Sequence, residues 1–424
     1  MSVLVDNKTV TQNVIDSLTK QGNKISFMPD SAVVDAIRTL EEKGIPNNKH
    51  EDYKYCNVEA DLRKEFKSIS NSLNKISSVD SHKLKDCINI IVVNAEYDAT
   101  LSDKNSEVII STLENADKKV IQNYLTKQAD VNSDAFVALN TAFSSKGLFI
   151  HIKGVVSKPI HIINIISVNQ TAVLNPRQLI VTEKSSEATI IETFVSHNNS
   201  ANVFNNHLTE IYVGENSNIK SFRLQNEDLK THHINTTQAA VKCYGNYTTN
   251  TYTFGGALVR NNLNIVLADD LCEAHLNGLF ITNGTQLVDN HTLVDHQKPN
   301  CQSNELYKGI AKDKSTGVFN GKIYVRKDAQ KTNAYQSSKN ILMSDDATIN
   351  TKPQLEIYAD DVKCSHGTST GKVDDIALFY LKARGIGEEK ARKLLLQAFA
   401  QELINKIEIE PLQEKVLTLF EKAL

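Results

Sequence analysis

Leu148-Phe149-Ile150-His151-Ile152, then Ile160-His161-Ile162-Ile163-Asn164-Ile165-Ile166, open the stretch on which the fold turns. Both are short runs of β-branched and aromatic residues of strand length. The pattern recurs over roughly 210 residues, at Gln178–Val181, Thr189–Phe194, Leu208–Val213, Asn262–Leu267, Leu279–Ile281, Val318–Val325 and Ile341–Met343. Asn, Gly, Asp and Ser separate the runs, and no helix-period segment of convincing length interrupts them. The stretch is long for one sandwich, and its turns lack hairpin regularity. A solenoid fits better, because each coil stacks on the last and Asn or Thr side chains can ladder between coils. A two-sheet sandwich or jelly roll is the competing architecture, since no strict repeat period is visible.

Helical patterns flank this stretch. Upstream, Asp30 or Ser31 can cap a helix carrying Val33, Val34, Ile37 and Leu40, with Gly44 just past its end. A polar loop from Gly44 to Tyr55 follows, with an aromatic anchor, then a short buried strand from Ile88 to Val93. Asp134 can cap a helix bearing Phe136, Leu139 and Phe143, ending at Gly147. Downstream, Asp374 or Asp375 starts a helix through Phe379, with Lys382 and Arg384 in its last turn and Gly385 at C′. Gly387-Glu388-Glu389 opens a second, with Ala391, Leu394, Leu395, Ala398 and Phe399 on its apolar side. Pro411 suits the first position of a third, carrying Leu412, Val416, Leu419 and Phe420. The chain therefore divides into a helical part (1–147), a β part (148–371) and a small helical end domain (372–424).

Composition narrows the function. A formal net charge of −3 offers no basic field for nucleic acid or anionic membrane. Hydrophobic content of 40% with 23% charged residues is globular. No apolar run reaches bilayer length, and Met1–Gln12 is too polar for a leader, so a cytoplasmic protein with reduced thiols is expected. The six cysteines are dispersed, with no C-x-x-C pair.

The chemistry concentrates near residue 364. Pro353–Ala359 alternates as a strand, and Cys364 and His366 follow at a spacing of two before an expected turn at Gly367. On extended backbone such residues share a face, so a thiolate and an imidazole project together. That pair suits zinc, copper(I) or iron–sulfur chemistry. Two donors do not complete a site, and the bland alternative is a buried cysteine beside a strand-closing histidine. Gly367-Thr-Ser-Thr-Gly371-Lys372-Val373 imitates a phosphate loop but is one residue short and lacks the Ser or Thr after lysine. His232-His233 and His291/His296 point to opposite faces on strands, and His207, His275, His291 and His296 could meet only across coils. No catalytic triad order or H-E-x-x-H motif is present, and the helices around Arg384-Gly385-Ile386-Gly387 lack a DNA-binding charge field.

The run Lys352–Ile357 with Asp360-Asp361-Val362-Lys363-Cys364-Ser365-His366-Gly367 resembles the signature of the SufB/SufD family, on its SufD side. Leu378–Leu381, Arg384–Ile386, Glu305–Ile310, Phe319–Ile323 and Asp328–Gln336 resemble it too. So does Gly44-Ile45-Pro46 with Glu51–Tyr55, although Tyr53 stands where the family usually has Trp. The resemblance implies a right-handed parallel β-helix core between helical N- and C-terminal domains. It implies a non-catalytic scaffold of the SUF iron–sulfur cluster assembly system, pairing with SufB through the β-helices. The ATPase SufC would dock on the C-terminal helices, for which we mark Phe379, Tyr380, Arg384, Leu394, Leu395 and Phe399. A transient Fe–S cluster would form at the SufB–SufD interface near His366, with Cys364 as an auxiliary thiol. A flavin in the complex goes with the family but has no motif here, and an isolated β-helix with a free edge can pair with itself. The other class of function is a stand-alone solenoid enzyme acting on a polysaccharide-like polymer. It needs paired carboxylates or aromatics along a groove, whereas Asp269-Asp270 and Asp345-Asp346 sit in turn-like contexts and Trp is absent.

Overall fold

The computed structural model describes residues 2–20, 26–65, 76, 78–197 and 201–424. From Gly147 onward the chain shuttles between two sheets, and from Arg177 onward each strand pairs in parallel with the strand one coil earlier, while Gly147–Ile152 meets Val108–Thr112 antiparallel. One sheet climbs from Ile88–Val93 through Ile160–Ile166, Glu187–Ser196, Asn218–Asn226, Asn246–Thr253, Glu273–Thr282, Gln302–Ala311 and Thr332–Leu342 to Val362–Gly371. The other climbs from Gly147–Ile152 through Arg177–Thr182, Val203–Val213, Thr231–Val241, Leu258–Leu267, Leu287–His296 and Thr316–Val325 to Thr348–Ile357. The result is a β-solenoid of about eight coils, with helices at both ends of the chain. The sandwich alternative is thereby excluded. The expected strand Ile88–Val93 lies in the first sheet, parallel to Ile160–Ile166.

Alternation along the strands fills the interior. Ala188, Ile219, Tyr247 and Ala274 stack in one inward column, and Ile190, Ser221, Thr249 and Leu276 in the next. Side chains ladder where polar residues stack, as with Asn277 on Asn250 at 3.1 Å and Asn261 on Asn290 at 3.1 Å. The spacing of such stacked partners is 27 residues for Asn250/Asn277, 29 for Asn261/Asn290 and 31 for Glu305/Gln336. Corners of varying length absorb the difference, which is why no fixed period shows in the sequence.

One corner is built the same way in six successive coils. Ser185, Asn216, Tyr244, Leu271, Asn300 and Lys331 each hold φ between 55 and 60°, and each backbone N–H reaches a carbonyl in the next coil. A left-handed conformation strains residues with a Cβ, least of all Asn. Leu271 is 39% exposed, so its side chain gains little from the core. Leu271→Asn should therefore raise the unfolding free energy by about 0.5–1 kcal/mol, read as a higher denaturant midpoint at unchanged slope.

The N-terminal helices dock on the solenoid through two buried polar knots. Glu210 pairs with Arg177, both side chains at 0% exposure, and accepts from the backbone N–H groups of Thr126, Gln128 and Ala129. Tyr53, the expected aromatic anchor, donates to Asp134 Oδ2 at 2.6 Å and lies 3.8 Å from the Arg260 guanidinium, which pairs with Asp289. Asp134 caps Ala135–Phe143 as expected, and Gly147 already belongs to the following strand. The helix Asp30–Lys43 has Pro29, not Asp30 or Ser31, at its N-cap, while Gly44 closes it at φ 70°.

At the other end, Asp375–Ala383, Glu388–Ile404 and Glu410–Ala423 form the three expected helices. Asp374 caps the first, Gly385 sits just past its end at φ 82°, and Pro411 falls in the first turn of the third. Leu396, Ala400, Leu403 and Ile404, with Leu412, Val416 and Phe420, pack against Phe222, Leu224, Tyr252 and Leu279 of the solenoid. The buried stripe of the second helix runs through Ala391, Leu396, Ala400, Leu403 and Ile404, leaving Leu394 and Ala398 exposed. The apolar side expected from sequence is thus rotated, because Leu394, Leu395 and Leu396 are consecutive and composition alone does not choose among them.

Candidate functional site

The solenoid ends without a cap. Val362–Gly371 has a strand neighbour on one side only, Thr332–Leu342, and Thr348–Ile357 has only Thr316–Val325. Their outer edges present backbone donors and acceptors with no strand beyond them. Every residue of Val362–Gly371 is exposed except Val362 and Cys364, which are partly buried.

Cys364 and His366 both lie on this terminal strand, two apart and therefore on one face. Register places Cys364 over Ala334 and His366 over Gln336, continuing two inward columns of the coils below. Cys364 packs with Val325, Ala329, Ala334 and Ala359, and burial raises its thiol pKa above the ordinary value. His366 is exposed. The two donors are therefore unequal: an accessible imidazole, and beside it a sheltered sulfur held as the thiol. The chain does not turn at Gly367, since the strand runs on to Gly371 and the Gly367–Lys372 segment is no phosphate loop. The corner lies earlier, at Tyr358–Asp361 between the two terminal strands.

Beneath His366 the inward column is polar. Gln336 and Glu305 are buried, and Gln336 Nε2 donates to Glu305 Oε2 at 2.7 Å. Burial pushes the Glu305 carboxyl up to about 7, against the hydrogen bond from Gln336 and the nearby Thr292 hydroxyl, which pull it down. Glu305, Gln336 and His366 border one open cavity of about 660 Å³, whose wall also includes Phe222, Asn277 and Tyr335. Neither Glu305 nor Gln336 stands out as a site residue in the sequence. The available signal was an acid and an amide at inward positions of successive strands, which only the register reveals.

A second surface lies on the end domain. Ile376, Phe379 and Tyr380 are exposed at 81%, 73% and 57%. Arg384 is also exposed and donates to Tyr380 Oη at 2.9 Å. Leu394 is exposed, whereas Leu395 and Phe399 are partly buried against the solenoid, with Lys308 bonded to the Phe399 carbonyl at 2.6 Å.

His207, His275, His291 and His296 form no common group, although His207 lies 6.5 Å from His233, ring centre to ring centre. His207 and His296 are buried, and desolvation holds His296 down at about 4. His291 bonds Asp289 at 3.0 Å, and His275 lies 3.6 Å from Glu273. Among the described residues no group of three His, Cys, Asp or Glu could hold a metal ion. Cys364 and His366 alone likewise fall short of such a group.

Residues 164–399 match the SufBD core domain of the SUF system for FeS cluster assembly, and residues 22–162 match the SufBD N-terminal region. The chain belongs to the SufBD family of iron–sulfur cluster assembly proteins. Within it the chain is SufD-like: it is 30% identical to the iron–sulfur cluster assembly protein SufD of Escherichia coli, over 94% of this chain and 92% of that one. A SufBD family protein of Synechocystis is 29% identical over the same shares, and SufD of Bacillus subtilis 27% identical over 76% of this chain and 75% of its own. No helix among the described residues is long and apolar enough to cross a membrane.

Proposed function

We propose that this chain is a non-catalytic scaffold subunit of iron–sulfur cluster assembly, whose uncapped last coil is completed by a SufB-type partner. The observation that carries this reading is the pair of free edges at Thr348–Ile357 and Val362–Gly371, with His366 exposed on the second. A second solenoid docking there continues both sheets and satisfies the edge backbone, as in recognition by strand addition. His366 then supplies one ligand and the partner the rest. Such a divided site holds the cluster, the cargo of the reaction, only while the subunits are suitably placed, which favours release. Cys364 stands close enough to assist once deprotonated, but its burial disfavours the thiolate, so His366 is the principal donor.

The exposed Ile376, Phe379 and Tyr380, with Arg384 and Leu394, form an aromatic and cationic patch of the kind that anchors protein interfaces. We assign it to the ATPase SufC, with Leu395 and Phe399 supporting the helices from behind. Phe379→Ala removes a side chain that is 73% exposed, so the fold should persist. Capture of SufC by the variant should weaken by about tenfold or more, measured by titration calorimetry. Unchanged affinity would remove Phe379 from the docking surface.

The polymer-hydrolase reading loses its carboxylates. Asp269-Asp270 and Asp345-Asp346 stand at corner turns, and Asp345 is bound to Lys372 at 2.7 Å. Co-purification tests the main reading: the tagged chain should bring down a SufB-type protein and an ATPase, whereas a hydrolase would come alone and turn over substrate.

A further inference from the structure

Three segments with no assigned chemistry meet under His366: the strands that carry Glu305, Gly321 and Gln336. Gln336 lies directly below His366 in register, and Glu305 directly below Gln336. The carboxamide of Gln336 is fixed from two sides. Its Nε2 donates to Glu305 Oε2 at 2.7 Å. On the facing sheet Gly321 leaves room for it, since a Cβ there would overlap Gln336 Nε2. With the nitrogen committed downward, the oxygen is left over: Gln336 Oε1 is buried and has no hydrogen-bond partner among the described residues. A buried carbonyl oxygen without a donor is costly, and such an atom marks a place where a donor is expected. The inward column supplies His366 as the next side chain above it.

We propose that Gln336 is the positioning residue for His366. A turn of the His366 side chain toward the free Gln336 Oε1 pairs that oxygen with one imidazole N–H and so commits the other ring nitrogen, with its lone pair, to the cluster. Glu305 sets the direction of the amide, and Gly321 gives it space. This is the usual outer-shell device for a ligating histidine, in which the hydrogen bond at one nitrogen selects the tautomer that ligates through the other. The inference rests on the reading of His366 as a cluster ligand, and it explains why an acid and an amide, faced by a glycine, follow Ile190, Ser221, Thr249 and Leu276 in this inward column.

The test uses the full chain, alone and reconstituted with its SufB and SufC partners. Gln336→Met keeps the volume and removes the acceptor, while Gly321→Ala displaces the amide without removing either polar group. Histidine-side-chain 15N spectra of the isolated chain, assigned with His366→Ala, report the tautomer of His366. Thermal unfolding confirms that each variant is folded. Both variants should shift His366 from one dominant tautomer toward a mixture, and should slow cluster assembly in the complex by about tenfold or more. Unchanged spectra in both folded variants overturn the inference, whether or not assembly falls, because a merely structural role leaves the tautomer alone. Normal assembly by Gln336→Met beside an inactive His366→Ala overturns it while leaving the ligand reading intact. Normal assembly by His366→Ala itself removes the reading on which it rests.

Discussion

His366→Ala is expected to abolish cluster assembly in the reconstituted complex while leaving the chain folded and partner-bound. The side chain is exposed on a terminal strand, so its loss opens no cavity and leaves at most the Gln336 Oε1 without a donor. Surface changes of this kind usually move stability by less than about 0.5 kcal/mol. The effect on assembly is of another order, because a half-site deprived of its principal donor has only a sheltered thiol left. Cys364→Ala should be the milder variant, since burial disfavours the thiolate form that binds iron. A His366→Ala complex that assembles clusters at the normal rate, with SufB and SufC bound, would remove His366 from the mechanism.

The second large effect is on folding. Glu210→Ala should destabilise the native state by about 3–5 kcal/mol, because it leaves the Arg177 guanidinium as an uncompensated buried charge. Arg177 and Glu210 are both at 0% exposure, and the same carboxylate receives three backbone N–H groups from the segment Thr126–Ala129. The substitution therefore frees a cation and three donors at once, at the seam between the N-terminal helices and the solenoid. Asn140, which bridges the Pro176 and Asn206 carbonyls nearby, cannot replace the lost charge. Denaturant unfolding should show the loss, with a first transition for the helical region if the seam opens before the solenoid. A stability change under about 1 kcal/mol would show that the pair is as weak as an exposed one.

Much of this was legible in the chain because strand alternation is a local signal. Short β-branched runs from Leu148 onward, without hairpin chemistry, indicate stacked coils, and Cys364-Ser365-His366 on one strand puts thiol and imidazole on one face. What stays hidden depends on register. Glu305, Gln336 and His366 lie far apart in the sequence and meet only because corners of unequal length happen to align them. Gly367 reads as a turn, yet on an edge strand it simply continues extended backbone, with nothing within reach of an added Cβ. The rotated face of Glu388–Ile404 has the same origin: three consecutive leucines leave the choice of inward stripe to the surface they meet.

Amide hydrogen exchange across the last coil, measured with and without the SufB-type partner, tells whether that coil is where the partner docks. Edge strands with one neighbour exchange quickly, because half of their backbone groups face solvent. If the partner completes the solenoid, amides in Thr348–Ile357 and Val362–Gly371 become strongly protected on complex formation. If the complex forms with those amides as open as before and protection elsewhere, the free end is not the assembly interface.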